Sequence, residues 1–144
     1  MVYSGRGYRA LLPRDVLVES GALERESNSA GKAAYVASKE RFVRVVCARM
    51  QEQYGADWIV VESGTSGPVF YVPGVEAGLT AIGVLGPINA RTGQRFERYV
   101  VVETGHSDRE ANMWAFTDRA LALLHDCLVE QEQQRTQERE QSRI

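Results

Sequence analysis

The segment Glu62-Ser63-Gly64-Thr65-Ser66-Gly67-Pro68, directly after the apolar run Trp58-Ile59-Val60-Val61, constrains this chain more than any other. A short β-rich run that empties into small polar residues, glycines and a proline predicts a buried strand ending in a loop. Small residues let backbone N–H groups approach a ligand, and hydroxyls add donors; successive amides in such turns form anion-binding concavities. The same letters also compose a plain tight turn. The rest of the chain decides how much weight the ligand reading carries.

Upstream, the spacing predicts a long helix over Lys32 to Tyr54, with Tyr35, Phe42, Val46 and Met50 on one apolar stripe and Val45 beside it. Gly55 is placed to end that helix in the left-handed conformation. A shorter helix is predicted from Asp15 to Leu23, behind Pro13, and a strand tail at Val2-Tyr3-Ser4. Downstream, strands are predicted at residues 79–85, where Gly83 suggests close backbone contact, and at 96–104, joined as a hairpin. Their near-continuous apolar runs suit strands covered on both faces. A last helix is predicted from Ser107 or Asp108, with Ser107 and Glu110 spaced as a capping box. The order of helices and β runs predicts an α/β fold, a three-layer sandwich with a mixed β-sheet flanked by helices. Residues 1–128 form the domain, and 129–144, almost all Glu, Gln and Arg, form a polar tail, helical or disordered.

Composition excludes several classes. A net charge of −2 gives no basic face for nucleic acid, and no apolar run reaches the length of a membrane span. Cys47 and Cys127, far apart in helical patterns, read as buried core thiols rather than a disulfide or metal pair, with a cytoplasmic location as the default. No metal cluster and no required cofactor can be read.

A second strand-to-helix junction, Glu103-Thr104-Gly105-His106-Ser107-Asp108-Arg109, lies where α/β folds collect ligands. A cation in the first helical turn opposes the helix dipole, so Arg109 needs an anionic neighbour. A ligand phosphate would serve, and so would a salt bridge to Asp108, Glu110 or Asp118. His106 has the right chemistry for acid–base work, but no nucleophile and orienting carboxylate can be placed beside it. His125 reads as structural. Gly5-Arg6-Gly7 is too short for a dinucleotide fingerprint, and Glu62-Ser63 lacks the flanking glycines of a nucleophile elbow.

With these pieces in order, the chain resembles the CinA C-terminal domain family, whose best-known activity is nicotinamide mononucleotide amidase. Tyr3-Ser4 followed by Leu11-Leu12 is similar to the family's strand-then-helix segment, and Gly21-Ala22 and Gly55-Ala56-Asp57 match its connecting region and the end of its long helix. Ser63-Gly64-Thr65-Ser66-Gly67-Pro68 falls on the family's Thr-Gly-x-Ala-Gly-Pro loop, and Gly105 with Asp108-Arg109 on its Gly-Asp-Arg turn. The family's nucleophilic serine precedes the Tyr-Ser strand and has no counterpart in these residues. Its lysine would fall near Tyr8, where Arg9 is a poor proton acceptor.

The resemblance therefore implies a ligand cradle without an identified catalytic residue. Tyr3, Ser63, Gly64, Thr65, Ser66, Gly67, Tyr71, Gly105 and Arg109 are its candidate binding residues, with Arg109 on phosphate. The expected partner is a small phosphorylated nucleotide or metabolite such as nicotinamide mononucleotide, with neither nucleic acid nor membrane. Two alternatives stand beside it: a working amidase that uses Ser63 or Ser66, and an interaction protein whose open sheet edge is covered by self-association into a homo-oligomer.

Overall fold

A computed structural model of the protein describes residues 11–22, 31–69 and 72–143. Its elements are α1 (Arg14–Glu19), α2 (Gly31–Tyr54), β1 (Ile59–Thr65), β2 (Leu79–Ile88), β3 (Arg95–Glu103) and α3 (Arg109–Ser142). The strands lie in the order β1-β2-β3 and both pairings are antiparallel. The fold is α/β. A mixed sheet needs a parallel partner, and the strand expected at Val2-Tyr3-Ser4 falls outside the described residues.

Alternation along the strands assigns the two faces of the sheet. One face carries Gly83 and Tyr99, which are register partners. The Cys47 thiol of α2 donates to the Gly83 carbonyl at 3.5 Å, and a Cβ on Gly83 would lie only 3.0 Å from the Tyr99 ring. Arg44 of α2 stacks over that ring at 3.7 Å. The opposite face carries Arg98, one step along β3, and Arg98 reaches Glu130 of α3 at 2.8 Å. Helix α2, sheet and helix α3 are thus three layers. Central strand β2 is buried on both sides from Leu79 to Gly86, as its unbroken apolar run requires.

The core under α2 joins Leu12, Val16, Leu17, Phe42, Val43, Val46 and Ala81. Tyr35, Phe42 and Val46 of the predicted stripe are buried, while Met50 and Val45 are half-buried. The most deeply buried pair on this helix is Val43 and Cys47, both at 0% exposure, because that flank of the stripe meets the sheet. Helix α1 stops at Glu19, short of the predicted Leu23, and the chain turns through Gly21 at φ 75°.

Two boundaries differ from expectation in ways that matter for the site. Residues 62–65, read as loop, continue strand β1, with Glu62 opposite Ile82 and Thr65 opposite Leu79. At the last helix Asp108, not Ser107, is the N-cap. Its carboxylate accepts from the Ala111 N–H at 2.8 Å, so the Ser107–Glu110 capping box does not form. Helix α3 then runs unbroken to Ser142. Among the described residues no helix is long and apolar enough to cross a membrane.

Candidate functional site

Strands β1 and β3 both end at the same edge of the molecule, and the turns that follow them are knitted together. Gly78, at φ +96°, donates its N–H to the Thr65 carbonyl at 2.7 Å and accepts from the Thr104 N–H at 2.9 Å. Gly67, at φ +91°, lies so close to the second turn that a Cβ would come within 2.7 Å of the Ser107 carbonyl oxygen. Only a residue without a side chain fits there. The Gly67–Pro68 peptide is cis.

Asn112, in the first turns of α3, locks this arrangement. Its side chain is at 0% exposure. Nδ2 donates to the Ser66 carbonyl and to the His106 carbonyl, each at 2.9 Å, and Oδ1 accepts from the Thr104 hydroxyl. A buried amide with every polar atom engaged fixes geometry as well as adding stability. Arg109 supplies a further brace: Nη1 donates to the Gly67 carbonyl at 2.9 Å.

A cavity of about 290 Å³ opens along the flank of β1 that faces away from β2. Leu12, Phe42, Val46 and Val61 wall it on the α2 side, and Met113 and Phe116 on the α3 side. Its polar lining comes from Glu62, Ser63, Gly64 and Ser66. Glu62 stands at the solvent-facing mouth, where Oε1 accepts from the fully buried Thr80 hydroxyl. Crowding by the apolar walls pushes its carboxyl above the ordinary range, with the Thr80 hydrogen bond opposing. Met113 and Thr117 also line a shallow hollow of about 330 Å³ with Arg109, Glu110 and Trp114. The two depressions are therefore neighbours across a single ridge of α3.

A separate, more polar hollow of about 400 Å³ lies beside the start of α2, between Lys32, residues 74–78, Glu103 and Gly105. Lys32 and Glu103 pair across it at 2.8 Å.

The structure thus distributes the predicted binding residues. Ser63, Gly64 and Ser66 line the cavity, and Arg109 lies in the adjoining hollow. Thr65 is buried beneath them, Gly67 forms the junction between turns, and Gly105 belongs to the polar hollow. Tyr3 and Tyr71 lie outside the described residues. The His106 and His125 side chains are exposed, and it is the carbonyl of His106 that enters the network. Among the described residues, no histidine, lysine or carboxylate hydrogen-bonds the hydroxyl of Ser63 or Ser66, and no cluster could hold a metal ion.

Sequence reasoning missed Asn112, Thr104 and the Glu62–Thr80 pair. For Asn112 a signal existed. It falls on the stripe that carries Phe116, Ala120 and Cys127, and a lone amide on an apolar helical stripe is a buried polar group in need of partners.

Residues 27–128 match the family described as the CinA C-terminal domain. No curated protein and no solved structure matches the chain.

Proposed function

Because the chain belongs to the CinA C-terminal domain family, we propose that it binds a small phosphorylated nucleotide, such as nicotinamide mononucleotide, at the junction of its two turns and does not hydrolyse it. The observation that carries this reading is the cross-bracing of residues 66–67 to residues 106–112 by Asn112 and Arg109. It supports the reading by fixing the two turns to one another without relying on a ligand to assemble them. A preorganised cradle spends little of its binding energy on ordering loops. Arg109 is the candidate for the phosphate, since a guanidinium holds that group through more than one N–H. Ser63 and Ser66 border the cavity, but neither has the adjacent base that activates a serine.

Calorimetric titration with nicotinamide mononucleotide tests the binding, and ammonia release over the same ligand range tests the lack of hydrolysis. Loss of a charge-assisted contact in Arg109→Ala is expected to weaken affinity by about 1.5–3 kcal/mol. Unchanged affinity in that variant removes Arg109 from the phosphate site. Ammonia release abolished by Ser63→Ala or Ser66→Ala overturns the non-hydrolytic reading in favour of an amidase.

A further inference from the structure

We propose that β3 pairs edge to edge with β3 of a second copy of this chain, antiparallel about a two-fold axis at Tyr99, so that the two sheets join into one. The surface lies on the side of the sheet opposite to β1, and the inference does not rest on the nucleotide reading.

An edge strand presents a row of backbone N–H and C=O groups that another strand can use as a template. Among the described residues β3 has β2 on one side and no strand on the other. It runs for 9 residues, Arg95–Glu103, without the proline that would blunt such an edge. Its centre, Tyr99-Val100-Val101-Val102, is apolar, and Val101 is 36% exposed. Charged side chains are the remaining guard, but most of those on β3 are held by the chain's own helices. Glu97 meets Arg44 of α2 at 3.9 Å, Arg98 meets Glu130 of α3 at 2.8 Å, and Glu103 meets Lys32 of α2 at 2.8 Å. Arg95 has no ion-pair partner among the described residues.

Charge selects both the occupant and the register. Arg95 and Glu103 stand at opposite ends of β3 and equally far from Tyr99, the arrangement that antiparallel self-pairing needs. A two-fold axis perpendicular to the sheet keeps like faces together. With the axis at Tyr99, Arg95 of each copy lies opposite Glu103 of the other, at both ends of the ladder. The Glu103 carboxylate, which already binds Lys32, has acceptor capacity for a second cation. On the same face Glu97 meets Val101 and Tyr99 meets its own copy; on the other face Phe96 meets Val102 and Arg98 meets Val100. An axis one residue away fails. At Arg98 it sets Arg98 against itself, and at Val100 it sets Glu97 against Glu103, and like charges directly opposite are destabilising. One strand per copy makes a small interface, so the pair is expected to dissociate on dilution.

Sedimentation velocity of the full chain over a concentration series tests this. The native chain is expected to pass from monomer to dimer as its concentration rises. Arg95→Glu and Glu103→Arg each create two like-charge pairs in the dimer and should weaken it by about 10- to 100-fold. Mixed in equal amounts, the two variants again set opposite charges against each other at both ends, so the dimer is expected to return as a heterodimer. Amide exchange of the native chain should slow in β3, and not in β1, with rising concentration. A native chain that stays monomeric throughout the series overturns the proposal. So does a dimer that neither variant weakens, which is then held by another surface, such as the exposed Trp114 and Leu121 of α3. Exchange in β3 that does not slow as the dimer forms overturns it whatever the variants do, and variants that fold but stay monomeric when mixed overturn the Tyr99 register.

Discussion

Replacing Asn112 should damage the fold far more than its polar character suggests. Its side chain makes three hydrogen bonds from a site at 0% exposure, to the Ser66 and His106 carbonyls and from the Thr104 hydroxyl. At roughly 1 kcal/mol net per bond, with an added penalty for groups left without partners, Asn112→Leu should cost about 3–5 kcal/mol. For a chain of this length that lowers the melting temperature by about 10–18 °C, at roughly 3–4 °C per kcal/mol. Urea denaturation followed by tryptophan fluorescence measures the free energy directly, and an unchanged slope confirms that the denatured state is not the source. Asn112→Asp separates hydrogen bonding from volume. It keeps the shape and an acceptor for Thr104 but turns two donated bonds into repulsions with carbonyl oxygens, so it should be at least as harmful as Asn112→Leu. A loss below about 1 kcal/mol in both variants would refute the claim that this amide holds the two turns together.

Three further outcomes follow from particular contacts. In Gly78→Ala the new Cβ would lie 2.3 Å from the Thr104 hydroxyl and 2.7 Å from the His106 carbonyl at φ +96°, so a loss of about 2–4 kcal/mol is expected. Gly93→Ala, at φ +70° with nothing within 4 Å, should cost only about 1 kcal/mol; equal losses in thermal melts would contradict the reading. Burial pushes the Cys47 thiol up to about 12, against a weaker opposing hydrogen bond from the Val61 backbone, and the Cys127 thiol is raised for the same leading reason. A thiol-specific chromogenic reagent at pH 8 should therefore report neither thiol in the native protein and both after unfolding, and rapid native labelling would show that the α2–sheet layer opens readily. Glu62, with its carboxyl raised above the ordinary 4.5, binds its proton more tightly folded than unfolded, so it costs stability once pH rises through that window and none below it. Glu62→Gln should accordingly be more stable than the native chain at pH 8 and indistinguishable from it below pH ~4; an unchanged gap across that range would exclude titration as the cause.

Much of the scaffold was legible because it follows from periodicity. The predicted helix over Lys32–Tyr54 corresponds to α2 at Gly31–Tyr54, and the predicted hairpin corresponds to β2 and β3. Regular elements announce themselves through local spacing, whereas the site depends on meetings that spacing does not encode. Residues 62–65 carry turn letters yet form strand, because Gly64 has no side chain to collide with Thr80, whose Cα would lie 2.5 Å from a Cβ there. Ser107 and Asp108 are equally good caps by composition, and only the extended backbone of Asp108 at ψ 114° decides between them. The cation opposing the dipole of α3 donates to a partner 42 residues away, the carbonyl of Gly67. Sequence identified Arg109 as needing a partner but could not supply this one.

Helix α3 is fastened at widely separated points. Asn112 joins it to the two turns, Arg98 grips Glu130 along its middle, and Glu138 meets Asn89 and Arg91 in the β2–β3 hairpin turn. At 1.5 Å per residue, Asn112 and Glu138 are about 39 Å apart along the axis. A rod clamped at both ends and along its middle resists tilting, so the register of α3 against the sheet is fixed along its length. The hairpin turn at residues 89–93 and the two turns at the other end of the molecule are thus tied to the same helix.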